Sequence, residues 1–223
     1  MGIREQSVGE IAARLPGAIE VFYRHGIEFC CGGGASFLDV CAEKGLTPKD
    51  VLAEIEKAGE EASGGFRAWE EASVAEIVSH LLEDYHVPQR ELMDQCADWV
   101  VRVARRHLEK DARLPALRET YLALRDELME HFTREEEVLF PAILSGKPEE
   151  AEALLATLSE EHQTAGASLE EIRKLCDDFR IPEEACNTWR GLLQGLEKLE
   201  RGLHKHIHLE NNVLFPKLTK PKE

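Results

Sequence analysis

Two eleven-residue stretches, 75 positions apart, follow one pattern. His131-Phe-Thr-Arg-Glu135-Glu-Glu-Val-Leu-Phe-Pro141 returns as His206-Ile-His-Leu-Glu210-Asn-Asn-Val-Leu-Phe-Pro216, so each copy sets a glutamate four residues after a histidine and ends in Val-Leu-Phe-Pro. On a helix, positions i and i+4 stack on one face about 6 Å apart along the axis, close enough for an imidazole and a carboxylate to reach one cation. A single pair of this kind on an acidic helix reads as a solvated ion pair. Its repetition with the same apolar tail gives it weight.

The chain has 223 residues, 43% of them hydrophobic, which is enough for one large domain or a small and a medium one. Forty-three acidic residues against 27 basic ones give a net charge of −16. The first 60 residues hold 6 of the basic and 10 of the acidic residues, so no basic half is concealed. This balance argues against nucleic acid or an anionic membrane as a partner. No stretch approaches the roughly 18 apolar residues of a membrane span, and the N-terminus has no apolar signal core, so the expected compartment is the cytoplasm. Six cysteines in a chain of this size read as reduced thiols rather than a disulfide framework.

The expected fold is all-α. Residues 1–57 read as a small helical domain: Val8, Ile11, Ala12 and Leu15 share a helical face, Pro16 opens a second run through Ile19, Phe22 and Tyr23, and His25-Gly26 ends it. A glycine-rich loop with adjacent Cys30 and Cys31 follows, then helices from Ser36 and from Thr47-Pro48. Residues 58–72 have linker composition. From 73 to 220 the pattern predicts four long helices (73–108, 115–144, 148–178 and 182–217) in an antiparallel bundle. Ser73-Val-Ala-Glu76 is a capping box for the first of them. Pro88 removes a backbone donor inside it, which predicts a kink or local widening near His86.

In an antiparallel hairpin, residues equidistant from the turn lie at one height. His86 and His131 are centred between 108 and 109, His162 and His206 on 184, and Glu135 and His162 between 148 and 149, each beside an expected turn. His86, His131, Glu135, His162, His206 and Glu210 are therefore expected in one layer. The halves match, with 45 residues from His86 to His131 and 44 from His162 to His206. Four imidazoles and two carboxylates suit two iron ions, each with two histidines, bridged by both glutamates and an oxygen ligand. Two ferric ions, two carboxylates and an oxo dianion leave a charge of about +2, and open positions remain for water, dioxygen or nitric oxide. Zinc, the alternative, favours separate four-coordinate sites.

His107 lies about 31 Å along the helix from His86 and is expected at a surface or turn. His80 is expected in the core or behind the ligands, His204 and His208 at the surface or behind them, and Tyr85 in core packing. Cys41, Cys96, Cys176 and Cys186 read as buried small apolar residues. Cys30 and Cys31 leave two roles open, reactive thiols or a structural loop.

Phe29-Cys-Cys-Gly-Gly33, Tyr85-His86, Glu161-His162 and the two opening stretches together resemble the di-iron iron–sulfur cluster repair proteins, the RIC family of ScdA or YtfE type, over essentially the whole chain. The resemblance implies a hemerythrin-like four-helix bundle with a non-haem di-iron centre, joined to a small helical domain bearing the paired cysteines. It implies repair of iron–sulfur proteins damaged by nitric oxide or oxidants. Whether repair runs by iron donation or by nitric oxide reduction stays open, as does a thiol relay through Cys30 and Cys31. Reversible binding or sensing of dioxygen or nitric oxide without turnover is the alternative. A homodimer is compatible with the sequence.

Overall fold

The computed structural model describes residues 6–61 and 69–219, and among them the chain is helical with no strand beyond a single bridge between Ser7 and Ser36. Two compact units divide the chain: one comprises the residues up to Ile77 together with those from His204 onward, the other Val78–Leu203. The expected linker, residues 58–72, falls partly on 62–68, outside the described residues.

The first unit begins with α1 (Val8–Arg14), α2 (Ala18–Arg24), α3 (Phe37–Glu43) and α4 (Pro48–Glu61). Ser7 starts α1 with a reciprocal cap, its hydroxyl accepting from the Glu10 amide at 3.2 Å while the Glu10 carboxylate accepts from the Ser7 amide at 2.9 Å. The faces predicted from spacing close on one core of Val8, Ile11, Phe22, Phe37, Val51 and Ile55. Helix α4 is longer than its expected short form and continues into the stretch read as linker. Val51 and Ile55 anchor it in the core, four residues apart on one face.

The first predicted bundle helix comes in three pieces, α5 (Val74–His80), a π-helical turn (Leu81–His86) and α6 (Val87–His107). The second is α7 (Leu114–Arg134), a π turn (Glu135–Leu139) and α8 (Phe140–Leu144). The third is α9 (Pro148–Leu175); the fourth is α10 (Asn187–Leu209), a π turn (Glu210–Leu214) and α11 (Phe215–Thr219). The widening expected at His86 therefore occurs three times. Each time a proline, Pro88, Pro141 or Pro216, stands two residues after the π turn. Proline lacks the amide that would bond four residues back and crowds that carbonyl, and one extra residue per turn relieves both conflicts. The amides of Val87, Phe140 and Phe215 bond five residues back, to Leu82, Glu135 and Glu210.

The fourth helix starts at Asn187 instead of 182, and the third stops at Leu175 instead of 178. Asp177, Asp178 and Phe179 all take positive φ, which ends α9, and the amide of Ala185 turns back to the Pro182 carbonyl at 3.1 Å.

In the second unit α6, α7, α9 and α10 share a core that includes Met93, Val100, Leu117, Tyr121, Leu169, Ile172, Leu192 and Leu203. The Tyr121 hydroxyl donates to the Met93 carbonyl at 2.7 Å, so the one buried phenol in this layer is satisfied across α6 and α7. Gly195 brings α10 close to α6, since a Cβ there would lie 2.7 Å from the Cys96 sulfur. Arg173 on α9 forks onto Glu200 on α10, a carboxylate only 2% exposed. These contacts lock the scaffold on which the histidines stand.

Candidate metal centre

The second unit brings together four of the six predicted ligands: His86, His131, Glu135 and His162. Glu135 is fully buried. Its Oε1 lies 3.2 Å from His131 Nε2, and its Oε2 lies 3.4 Å from His86 Nε2. His162 Nε2 stands 3.0 Å from His131 Nε2. His86 is stacked on Phe132 at 4.4 Å between ring centroids and borders Phe140 at 5.6 Å, so apolar rings shield it from water.

The far nitrogens explain what this arrangement is for. His86 Nδ1 lies 2.8 Å from Glu136, and His131 Nδ1 lies 2.7 Å from Glu161. A carboxylate can only accept, so each Nδ1 carries the proton and donates, which leaves the lone pair of a neutral ring on Nε2. Two such lone pairs then face a buried carboxylate, and a third imidazole nitrogen sits beside one of them. Neutral-ring nitrogens and a carboxylate gathered in this way suit a cation, which can accept a lone pair from each. The donor set, three imidazoles and a carboxylate backed by outer carboxylates, fits a metal ion. The outer carboxylates are held in turn: Glu136 by Arg90 at 3.1 Å, Glu161 by Arg134.

The other two predicted ligands belong to the first unit. His206 and Glu210 are 1% and 0% exposed, with His206 Nε2 3.4 Å from Glu210 Oε1. Glu210, like Glu135, opens a π turn, so both halves of the repeat place their carboxylate on the same backbone irregularity.

The same segment grips the cysteine loop. Asn212 Nδ2 donates to the carbonyls of Phe29 and Cys30 at 3.2 and 3.0 Å, Asn211 reaches the Cys30 carbonyl at 3.4 Å, and His208 Nδ1 lies 3.2 Å from the Phe29 carbonyl. The approach requires glycine: a Cβ on Gly33 would stand 2.4 Å, and one on Gly9 2.3 Å, from Asn212 Oδ1. Burial pushes the His208 imidazole down to about 4 against the pull of its contact with Phe29, so the ring is neutral near pH 7.

Several side chains differ from their predicted settings. His107 is buried, packed 5.1 Å from Trp189 with Nε2 3.3 Å from the Cys186 sulfur, because α6 ends against the start of α10 rather than in solvent. Cys186 is exposed, since it precedes α10 instead of lying within it. His208, expected at the surface or behind the ligands, is buried against the loop. His80 is part-exposed and pairs with Asp84 at 2.5 Å. Cys41, Cys96 and Cys176 are buried as expected. Sequence reasoning passed over Glu136, Glu161 and Asn212 as orienting groups; their signal was adjacency to predicted ligands, which an acidic chain supplies in excess.

Residues 78–218 match the Hemerythrin HHE cation binding domain. Residues 4–59 match a domain of unknown function, DUF542, whose family model is named ScdA_N. The chain is 35% identical over 217 residues to the iron–sulfur cluster repair protein YtfE of Pectobacterium atrosepticum, covering 97% of this chain and 98% of that one. The chain belongs to the YtfE-type iron–sulfur cluster repair family. Members from Pectobacterium carotovorum and Escherichia coli O157:H7 are 35% and 34% identical over the same shares of both chains. The family match spans both copies of the repeat as well as the cysteine loop. Among the described residues no helix is long and apolar enough to cross a membrane.

Proposed function

We propose that His86, His131, Glu135, His162, His206 and Glu210 hold two non-haem iron ions, bridged by the two glutamates and an oxygen ligand, and that the protein repairs iron–sulfur clusters damaged by nitric oxide or oxidants. The observation that carries this reading is the near-complete coverage of relatives named as iron–sulfur cluster repair proteins. The donor chemistry supports it, because a buried carboxylate between imidazole lone pairs suits a metal rather than a packed core. The distances of the six residues along the sequence from the expected turns, which predict one layer, support it. The relatives' names favour repair over reversible gas carriage.

The chain's own residues set the conditions. Glu136 and Glu161 fix the tautomers and aim of His86 and His131, while Arg90 and Arg134 hold those carboxylates in place. Phe132 and Phe140 keep water from the His86 side. A pocket of about 130 Å³ beside His131 and His162, lined also by Leu128, Arg134, Glu161 and Ala165, gives a diatomic ligand such as nitric oxide or dioxygen room to arrive. Bound iron would supply redox electrons and open coordination positions and would be, as cargo, the ion passed to a damaged cluster. The expected setting is the cytoplasm, where thiols stay reduced.

Mixing the iron-loaded protein with a nitrosylated iron–sulfur dehydratase tests the reading. Recovery of dehydratase activity matched by iron leaving the protein indicates donation. Recovery with nitrous oxide released and iron retained indicates reduction. No recovery and no nitrous oxide overturns repair.

A further inference from the structure

The cysteine loop has a geometry of its own that the repair reading does not use. Glu28, Cys30 and Cys31 offer one carboxylate and two sulfur atoms that all lie within 4.8 Å of one another. The two sulfurs are 3.9 Å apart, and Glu28 Oε1 is 2.8 Å from the Cys30 sulfur. Two thiolates on one tetrahedral ion, with metal–sulfur bonds of about 2.3 Å, stand about 3.8 Å apart. The sulfur spacing therefore already matches, and the carboxylate needs to withdraw by less than about 1 Å.

The backbone holds the three groups in place. Glu28 Oε1 accepts from the amides of Cys30 and Cys31 at 2.9 and 3.1 Å, and Oε2 accepts from the Gly32 amide. A Cβ on Gly32 would stand 2.6 Å from that oxygen, so the first glycine after the cysteines is what lets the carboxylate fold over the loop. Burial works against the charge of Glu28, yet the Cys30 thiol and the three amides together hold its carboxyl below the usual carboxylate range. Asn212 and Asn211 fix the opposite side of the loop through the Phe29 and Cys30 carbonyls. Cys30 is 4% exposed, whereas Cys31 is half-buried and Glu28 is exposed, so an ion would be gripped from inside and approached from outside.

We infer that Glu28, Cys30 and Cys31 form a second metal site, taking one borderline-soft divalent cation such as ferrous iron through two thiolates and a carboxylate, with its fourth position open to solvent. Binding exchanges two thiol protons, both released to solvent water, for the cation, and the Glu28 carboxylate that faces the Cys30 sulfur turns its oxygen to the metal. No electron moves. A site with one open position can pass its ion to an acceptor's thiolate by ligand exchange. That use as a transfer station rests on the iron-donation reading above, whereas the binding itself does not.

Cobalt(II) tests the binding, because thiolate ligation gives it intense near-ultraviolet charge-transfer absorption and tetrahedral visible bands. The full-length, iron-loaded protein titrated with cobalt is expected to show one such site and release about two protons per ion. Cys30→Ser and Cys31→Ser are expected to abolish the thiolate band, Cys186→Ser to leave it intact, and Glu28→Gln to keep it while weakening binding at least about tenfold. Cys31→Ser changes the less buried thiol and so keeps the test meaningful if Cys30→Ser fails to fold. Absence of the band in the wild-type protein, its survival in Cys31→Ser, or unchanged affinity in Glu28→Gln overturns the site. Iron content, measured separately, reports on the bundle centre, so failure of one reading is distinguishable from failure of the other.

Discussion

The Nδ1 of His131 stands 2.7 Å from a carboxylate oxygen of Glu161, while the Nε2 of the same ring faces Glu135 at 3.2 Å. One imidazole thus joins a half-exposed carboxylate outside to a fully buried one inside, and His86 repeats the arrangement with Glu136. A carboxylate behind a ligating histidine raises its basicity and fixes its orientation.

Glu161→Gln and Glu136→Gln are therefore expected to lower metal affinity about 10- to 100-fold each. Helical content should not change. Competition titration of the apo-protein with a chelator, alongside circular dichroism, reads both quantities; unchanged affinity in both variants would remove the orienting role.

The three π turns predict a separable effect. Pro141→Ala restores the amide that a regular helix would use and removes the ring that crowds the carbonyl at Glu137. The turn beginning at Glu135 is expected to relax towards α-helical spacing and re-aim the carboxylate. Metal affinity should fall while the melting temperature of the apo-protein holds or rises. A drop in apo stability with full metal binding would contradict this account of the proline.

The helices and the meeting of His86, His131, Glu135 and His162 in the second unit were legible because period and spacing carry them: His-x-x-x-Glu repeats, capping boxes and turn residues act locally. Pro88 disclosed its widening for the same reason. Pro141 and Pro216 carried the same signal, read only as part of an apolar tail. His107, Cys186 and Asn212 were not legible, since their settings depend on which helix end meets which loop. A sequence period says which face a residue shares but not what covers that face.

Asn212 supplies the prediction for the cysteine loop. Asn212→Ala removes the donor that the Phe29 and Cys30 carbonyls share and leaves them the contacts from His208 and Asn211, a loss of about 0.5–1.5 kcal/mol per hydrogen bond. The loop should loosen, and Cys30 should react faster with a thiol reagent than in the wild-type protein. Mass spectrometry of the alkylated peptide follows the rate; an unchanged rate would mean that the asparagine does not hold the loop.

Acid stability has a local contributor at the turn between α6 and α7. The side-chain bonds from Arg113, assisted by its backbone amide, hold the Asp111 carboxyl below the usual carboxylate range. A depressed folded-state value means that the unfolded chain takes up the proton first, so this stabilisation is present above about pH 4 and is lost as the pH falls through the lower folded value. Asp111→Asn is expected to flatten the acid limb of stability against pH slightly, as measured by denaturant unfolding. An unchanged slope would assign the acid sensitivity elsewhere.

The central claim is that both copies of the repeat serve one pair of irons. Iron analysis of the purified protein, with Glu135→Ala and Glu210→Ala beside it, tests this most directly. The account predicts about two irons per wild-type chain, the number that four imidazoles and two bridging carboxylates can hold, and loss of iron in each variant. Unchanged iron in both variants would contradict it.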